Sequence, residues 1–130
     1  MNYPTFAKKY KGKTLEDSGS YVSKDFQSFA RSFRALMKEN AATHGWQIEK
    51  YSVGHYYLSG FLSKGEKHLY FSYSPARLAP LNLESPSALN GVLLRIARDS
   101  KDYTGGRNHF CSVKDIATLI GRFSEAKTML

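Results

Sequence analysis

The sequence contains a single cysteine, Cys111, among its 130 residues. Because a disulfide needs two cysteines, no intramolecular disulfide framework supports this chain, which fits a reducing compartment. No apolar run approaches the roughly 18 residues that a membrane-spanning helix needs. The first residues are basic and lack the apolar segment that is typical of a secretory signal. We therefore expect a cytoplasmic protein that does not insert into a membrane.

The motifs that would identify a reaction are also missing. No G-x-x-x-x-G-K-[ST] loop occurs, and Gly105-Gly106 alone indicates a turn rather than a nucleotide site. His109 and Cys111 lie two residues apart, but no second pair of ligands accompanies them, as is usual in structural zinc sites. We therefore expect no cofactor and no metal.

Acidic residues are few compared with basic ones. The chain has 19 Lys and Arg residues and 11 Asp and Glu residues, which gives a formal net charge of +8. This excess favours an anionic partner, which is a nucleic acid, an acidic protein surface or a membrane face. The alternative is a basic protein whose charge serves only solubility. The hydrophobic content of 42% and the length indicate a single folded domain.

The first 22 residues combine lysines with interleaved aromatic residues and contain no acid before Glu16. Two interpretations stay open: a solvated tail, or a flexible basic arm that orders on a phosphate backbone or a protein. The corresponding domain division is an arm over residues 1–22 and a single α+β domain over residues 23–130. The lysines that would anchor the arm are Lys8, Lys9, Lys11 and Lys13.

Residues 24–43 carry the clearest helix pattern. Ser23 is a good N-cap, and Gly45 is a good residue to end the helix. An apolar stripe runs along the segment at three- and four-residue spacing, through Phe26, Phe29, Phe33 and Met37. Arg31 and Arg34 lie off this stripe, so they face solvent or a ligand.

Three strands are predicted next, over residues 46–53, 55–63 and 68–74, because polar and apolar residues alternate there. Short turns between them predict an antiparallel meander. One face of this sheet carries the aliphatic residues. The other face carries small hydroxyl side chains and the aromatic residues Tyr57, Phe61 and Tyr70.

The C-terminal third contains a loop, an ambiguous segment and a helix. Three prolines make residues 75–90 a loop. Residues 92–97 form either a strand or a helix, and the β-branched residues favour a strand. A helix is predicted over 113–127, with Ser112 and Asp115 as a capping pair and Cys111 buried beside it. The predicted fold is therefore α+β, with an antiparallel three- to four-stranded sheet packed by two helices.

The segment 91–112 concentrates groups that bind anions and stack on rings. We predict that Arg95, Arg98, Lys101 and Arg107 hold phosphates or acidic side chains, and that Tyr103, His109 and Phe110 stack. With the cations of the N-terminal half, the candidate binding residues are Lys8, Lys9, Lys11, Lys13, Arg31, Arg34, Arg95, Arg98, Lys101, Tyr103, Arg107 and His109.

Two alternatives to a nucleic-acid binder remain open. One is a metal-independent nuclease in which His55 and His109 move protons while Arg95 and Lys101 hold phosphate. The other is a protein-interaction module, a monomer or a homodimer, that binds no nucleic acid. Nothing in the residue spacing requires either alternative.

Four stretches also suggest a family: Gly45-Trp46 after a helix, YYLSGFL, YFSYSPAR and LLRIARDSKDYTGGRNHF. They resemble a group of small proteins carried by phages and integrative mobile elements of Gram-positive bacteria. The order of a basic tail, a helix, a meander and a C-terminal helix is similar to broad-spectrum type II anti-CRISPR proteins. This resemblance implies a non-enzymatic inhibitor that engages a nucleoprotein such as Cas9 with its guide RNA. It assigns no role to particular residues.

Overall fold

A computed structural model describes residues 1–15, 23–54, 56–76 and 79–125. Five strands form one sheet in which neighbours along the chain pair antiparallel, and three helices accompany it. The elements are α1 (Tyr3–Tyr10), α2 (Lys24–Ala42), β1 (Gln47–Gly54), β2 (Tyr57–Lys64), β3 (Lys67–Tyr73), β4 (Val92–Ala97), β5 (His109–Cys111), a 3-10 turn (Val113–Asp115) and α3 (Ile116–Glu125). The predicted α+β class and meander are confirmed, with one strand and one helix more than expected. None of the helices in these ranges is long and apolar enough to cross a bilayer.

Helix α2 forms as its sequence predicts. The Ser23 hydroxyl accepts a hydrogen bond from the backbone N–H of Phe26 at 3.3 Å, which satisfies one free donor of the first turn. Gly45 follows the helix with φ +80°, a backbone angle that glycine adopts without strain. The apolar stripe of the helix is buried against the sheet, so α2 is the centre of the helical layer.

The two faces of the sheet differ as the alternation predicts. Leu62 lies opposite Leu69 on the face that packs against the helices, whereas Phe61 lies opposite Tyr70 on the other face. We call this second surface the open face. It carries Lys50, Ser52, Tyr57, Ser59, Phe61, Tyr70, Ser72, Leu93, Arg95 and Phe110.

Helix α1 corrects the interpretation of the N-terminus as a tail or an arm. Phe6 and Tyr10 are 0% and 1% exposed, and the Tyr10 hydroxyl donates to the Ser32 hydroxyl of α2 at 3.0 Å. The side chain of Asn2 caps the helix by accepting the N–H of Thr5. Both interpretations are therefore wrong for residues 3–10, which form a helix that buries Phe6 and Tyr10 in the core. Residues 16–22 of the predicted arm lie outside the described ranges.

The strand interpretation of residues 92–97 is confirmed, because β4 pairs with β3 along its whole length. The loop over residues 75–90 contains no helix or strand in its described part, and its Leu81 and Leu83 are buried in the core. Backbone hydrogen bonds tie Leu81 to Gly12 and to Lys13, beyond the end of α1. The loop therefore closes one side of the helical layer.

The predicted cap of the last helix is only partly right. The Ser112 hydroxyl makes no cap hydrogen bond and instead donates to the Asp115 carboxylate at 2.9 Å. Residues Val113–Asp115 form a 3-10 turn, and α3 begins at Ile116. Cys111 is buried as expected, and this burial raises the pKa of its thiol to about 12. The last predicted helical residues, 126 and 127, lie outside the described part of the chain.

Candidate nucleic-acid interface

The candidate binding residues lie on two opposite sides of the sheet. The cations of α1 and α2 lie on the helical layer, whereas the loop between β4 and β5, residues 98–108, extends over the open face. One flat ligand cannot contact both sides. The fold therefore divides the exposed residues of the predicted set between two candidate surfaces.

Among the residues that the structure describes, the helical side offers charge without exposed aromatic rings. Lys8 and Lys9 are exposed, but the aromatic residues Phe6 and Tyr10 beside them are in the core. The other two lysines form ion pairs, from Lys11 to Glu84 at 3.0 Å and from Lys13 to Asp25 at 3.4 Å. The exposed face of α2 adds Arg31 and Arg34.

Asp102 holds the base of the loop over residues 98–108. Its carboxylate accepts the backbone N–H groups of Arg98 and Gly105, each at 3.0 Å, and it faces the Arg98 guanidinium at 3.4 Å. These two backbone hydrogen bonds, together with the charge of Arg98, lower the pKa of Asp102 to about 2. These hydrogen bonds order the loop that carries the exposed side chains of Arg98, Lys101 and Arg107.

The lowered pKa of Asp102 gives a measurable pH dependence. The contribution of the carboxylate to loop stability is fully present above its ordinary pKa of 3.8 and is lost as the pH falls through about 2. The amide proton of Gly105 should therefore titrate with a midpoint near pH 2 in an NMR pH series. This titration should vanish in Asp102→Asn. A midpoint near 3.8 would show that the carboxylate does not accept these hydrogen bonds.

Arg95 faces the open face and is only 8% exposed. Its Cζ atom lies 4.6 Å from the centroid of the Tyr70 ring, and its Nη atoms donate to the carbonyl oxygen of Tyr103 and to Oδ1 of Asn108. Its Nε atom is buried and has no hydrogen-bond partner among the described residues. Arg95 thus supports the loop from below and does not project into solvent.

Four residues form a row across four strands of the open face: Lys50, Phe61, Tyr70 and Arg95. Tyr103 lies over this row, with ring centroids 5.1 Å from Phe61 and 5.8 Å from Tyr70. The ammonium group of Lys50 donates to the Tyr103 hydroxyl at 2.8 Å and lies 5.4 Å from its ring centroid. Tyr103 is nevertheless 46% exposed.

Lys50 was not among the predicted site residues. Strict alternation along residues 46–53 places it on the same side as Ile48, which packs against the core. A β-bulge between Ile48 and Lys50 shifts the register, so that Lys50 faces the open side and the Tyr51 hydroxyl reaches the carbonyl of Ala30 in α2. The sequence contains no local signal for this bulge.

Aromatic and hydroxyl groups continue the open face beside the row. Tyr57 and Phe110 are 38% and 39% exposed, and the Tyr57 hydroxyl is 2.6 Å from that of Tyr70. Burial, reinforced by this hydrogen bond, raises the pKa of Tyr70 to about 12. A second row places Ser52, Ser59 and Ser72 next to one another. The surface therefore combines exposed rings with neutral hydroxyl groups.

Two residues of the nuclease alternative, His109 and Arg95, lie on opposite faces of the sheet. His109 faces the helical layer, where its ring packs edge-on against Phe123 at 5.1 Å, while Arg95 faces the opposite side of the sheet. His55 lies outside the described residues. Among the residues that the structure describes, no group of three His, Cys, Asp or Glu side chains is arranged to hold a metal ion.

Comparison of the chain with models of known protein families, with curated proteins and with solved structures gives no match.

Proposed function

We propose that this protein binds single-stranded RNA, free or within a nucleoprotein, on the open face of its sheet. The observation that carries the proposal is the grouping of exposed rings and cations on that face. The rings belong to Tyr57, Tyr103 and Phe110, which are between 38% and 46% exposed. Lys50 contacts Tyr103, and the loop that carries Tyr103 also carries the exposed cations Arg98, Lys101 and Arg107.

Each of these groups suits one part of an unpaired strand. Stacking of a base on an aromatic side chain contributes about 1–3 kcal/mol, and it needs a base whose face is free. Cations beside the rings bind the backbone phosphates. Hydroxyl groups such as those of Ser52 and Ser72 both donate and accept, as contact with a ribose 2′-hydroxyl requires. A duplex hides its base faces and satisfies only the phosphate contacts.

Fluorescence anisotropy with a labelled single-stranded RNA, the same sequence as DNA and the corresponding duplex tests this proposal. We expect the single-stranded RNA to bind most tightly. With four cations on the surface and a slope of about −0.7 per phosphate contact, log K should fall with log[salt] with a slope of about −3. Absence of binding at low salt, or tighter binding of the duplex, would contradict the proposal.

The most specific version of this function is an anti-CRISPR inhibitor that engages Cas9 with its guide RNA. It is supported by the resemblance to proteins of phages and mobile elements and by the net charge of +8. The same binding assay extends to it, with the guide RNA alone and the assembled complex as probes and DNA cleavage as the readout. Cleavage that is unaffected by excess protein would limit the function to RNA binding.

A further inference from the structure

Tyr103 covers two rings that would otherwise form an exposed stacking surface. Phe61 and Tyr70 lie with their ring centroids 5.3 Å apart and, with Ala97, form a small apolar cluster separate from the main core. The side chain of Tyr103 meets both rings at angles near 75°. A nucleobase in the same place would bury a comparable ring against the same pair.

The guanidinium of Arg95 lies next to this pair and can still donate a hydrogen bond to a ligand. Guanidinium has five N–H donors, and the buried Nε donor of Arg95 has no partner in the part of the chain that the structure describes. No acidic side chain in the described ranges forms an ion pair with Arg95. Its positive charge is stabilised there by two neutral oxygens, those of Tyr103 and Asn108, and by the Tyr70 ring. A buried cation in this state favours a phosphate ligand.

The contacts that keep Tyr103 in place can be exchanged without unfolding the domain. The side chain is held by Lys50 and by two ring contacts, and half of it is in solvent. The Asp102 carboxylate anchors the loop on both sides of Tyr103, through the backbone N–H groups of Arg98 and Gly105, and leaves Tyr103 and Thr104 between these anchors. A local rotation between these two points would free the ring and, with it, the Nη2 atom of Arg95.

We propose that the Phe61–Tyr70 pair is a nucleobase site that Tyr103 occupies in the free protein, with Arg95 as the ligand of the adjoining phosphate. An incoming base displaces the Tyr103 ring, and the phosphate takes the place of the Tyr103 carbonyl on Arg95. Lys50, released from the tyrosine, becomes available to the next phosphate. This inference rests on the proposed function, since it names a subsite of the same surface.

The sign of the effect of Tyr103→Ala on RNA affinity tests the inference. If Tyr103 blocks the site and the open form is at most about a tenth of the population, its removal should raise the affinity about tenfold or more. Phe110→Ala is the matched control, since it removes a ring of similar exposure from the same face, whereas the Tyr57 hydroxyl is hydrogen-bonded to Tyr70 of the pair. It should weaken binding. Weaker binding by Tyr103→Ala as well would overturn the inference while leaving the proposed function in place.

A second measurement uses the unmodified protein. The nuclear Overhauser contacts between the Tyr103 and Phe61 rings should be lost when single-stranded RNA saturates the protein, and their persistence would overturn the inference. If neither the native protein nor Tyr103→Ala binds RNA, the proposed function fails and the inference fails with it. The three outcomes therefore separate the two proposals.

Discussion

Phe6→Ala is expected to lower the free energy of unfolding by about 3–5 kcal/mol. Phe6 is fully buried, and its ring lies 4.9 Å from that of Tyr10 and 5.6 Å from that of Phe29. Truncation would leave a cavity between α1 and α2 that the surrounding rings cannot fill. Urea unfolding followed by the fluorescence of Trp46 measures this loss, because Trp46 is buried in the same core.

The matched control is Lys8→Ala, on the same helix but exposed. Alanine is a good helix former, so this change should alter stability by less than about 0.5 kcal/mol. If both variants unfold at the same urea concentration as the native protein, α1 is not part of the core. The N-terminal segment would then be the arm that its composition suggests.

Segments with long, periodic patterns were predictable from the sequence. Helix α2 has an apolar stripe, a capping serine and a terminating glycine, and these local signals agree with one another. Strands β2 and β3 alternate cleanly, which correctly assigned Tyr57, Phe61 and Tyr70 to one face. In these segments local preference and tertiary packing favour the same structure.

Short segments were missed because their stability comes from distant contacts. Helix α1 has eight residues, fewer than an isolated helix needs in water, and it forms because Phe6 and Tyr10 pack against α2. Strand β5 has only three residues and exists through its pairing with β4. Neither contact can be read from local sequence.

The candidate site was predicted in composition but not in arrangement. The basic and aromatic character of residues 98–108 was evident, but the burial of Arg95 depends on how this loop folds back over the sheet. The role of Lys50 depends on a bulge. The division of the cations between two faces follows from the position of the helices.

Removing the loop cations should have the largest effect on binding. The triple variant Arg98→Gln, Lys101→Gln, Arg107→Gln removes three exposed charges and preserves the backbone N–H group of Arg98 that Asp102 accepts. Each lost phosphate contact should reduce the salt slope by about 0.7, so three should lower the affinity about 100-fold at 0.1 M salt. Thermal unfolding should be nearly unchanged, because all three side chains are exposed.

A second triple variant provides the control for charge alone. Lys8→Gln, Lys9→Gln, Arg31→Gln removes the same amount of charge from exposed positions on the helical side. Because these residues lie across the sheet from the proposed surface, the variant should keep most of the affinity and nearly all of the salt slope. The two variants have equal net charge, so a difference between their RNA affinities depends on where the removed charges lie.

The salt dependence of single-stranded RNA binding by these two triple variants tests most directly whether the open face is the binding surface. We predict a slope reduced by about 2 for the variant in the loop and a nearly native slope for the variant on the helices. Equal losses in both would show that the charge of the whole protein, and not the open face, attracts the RNA. A larger loss in the helical variant would place the binding surface on the opposite side of the sheet.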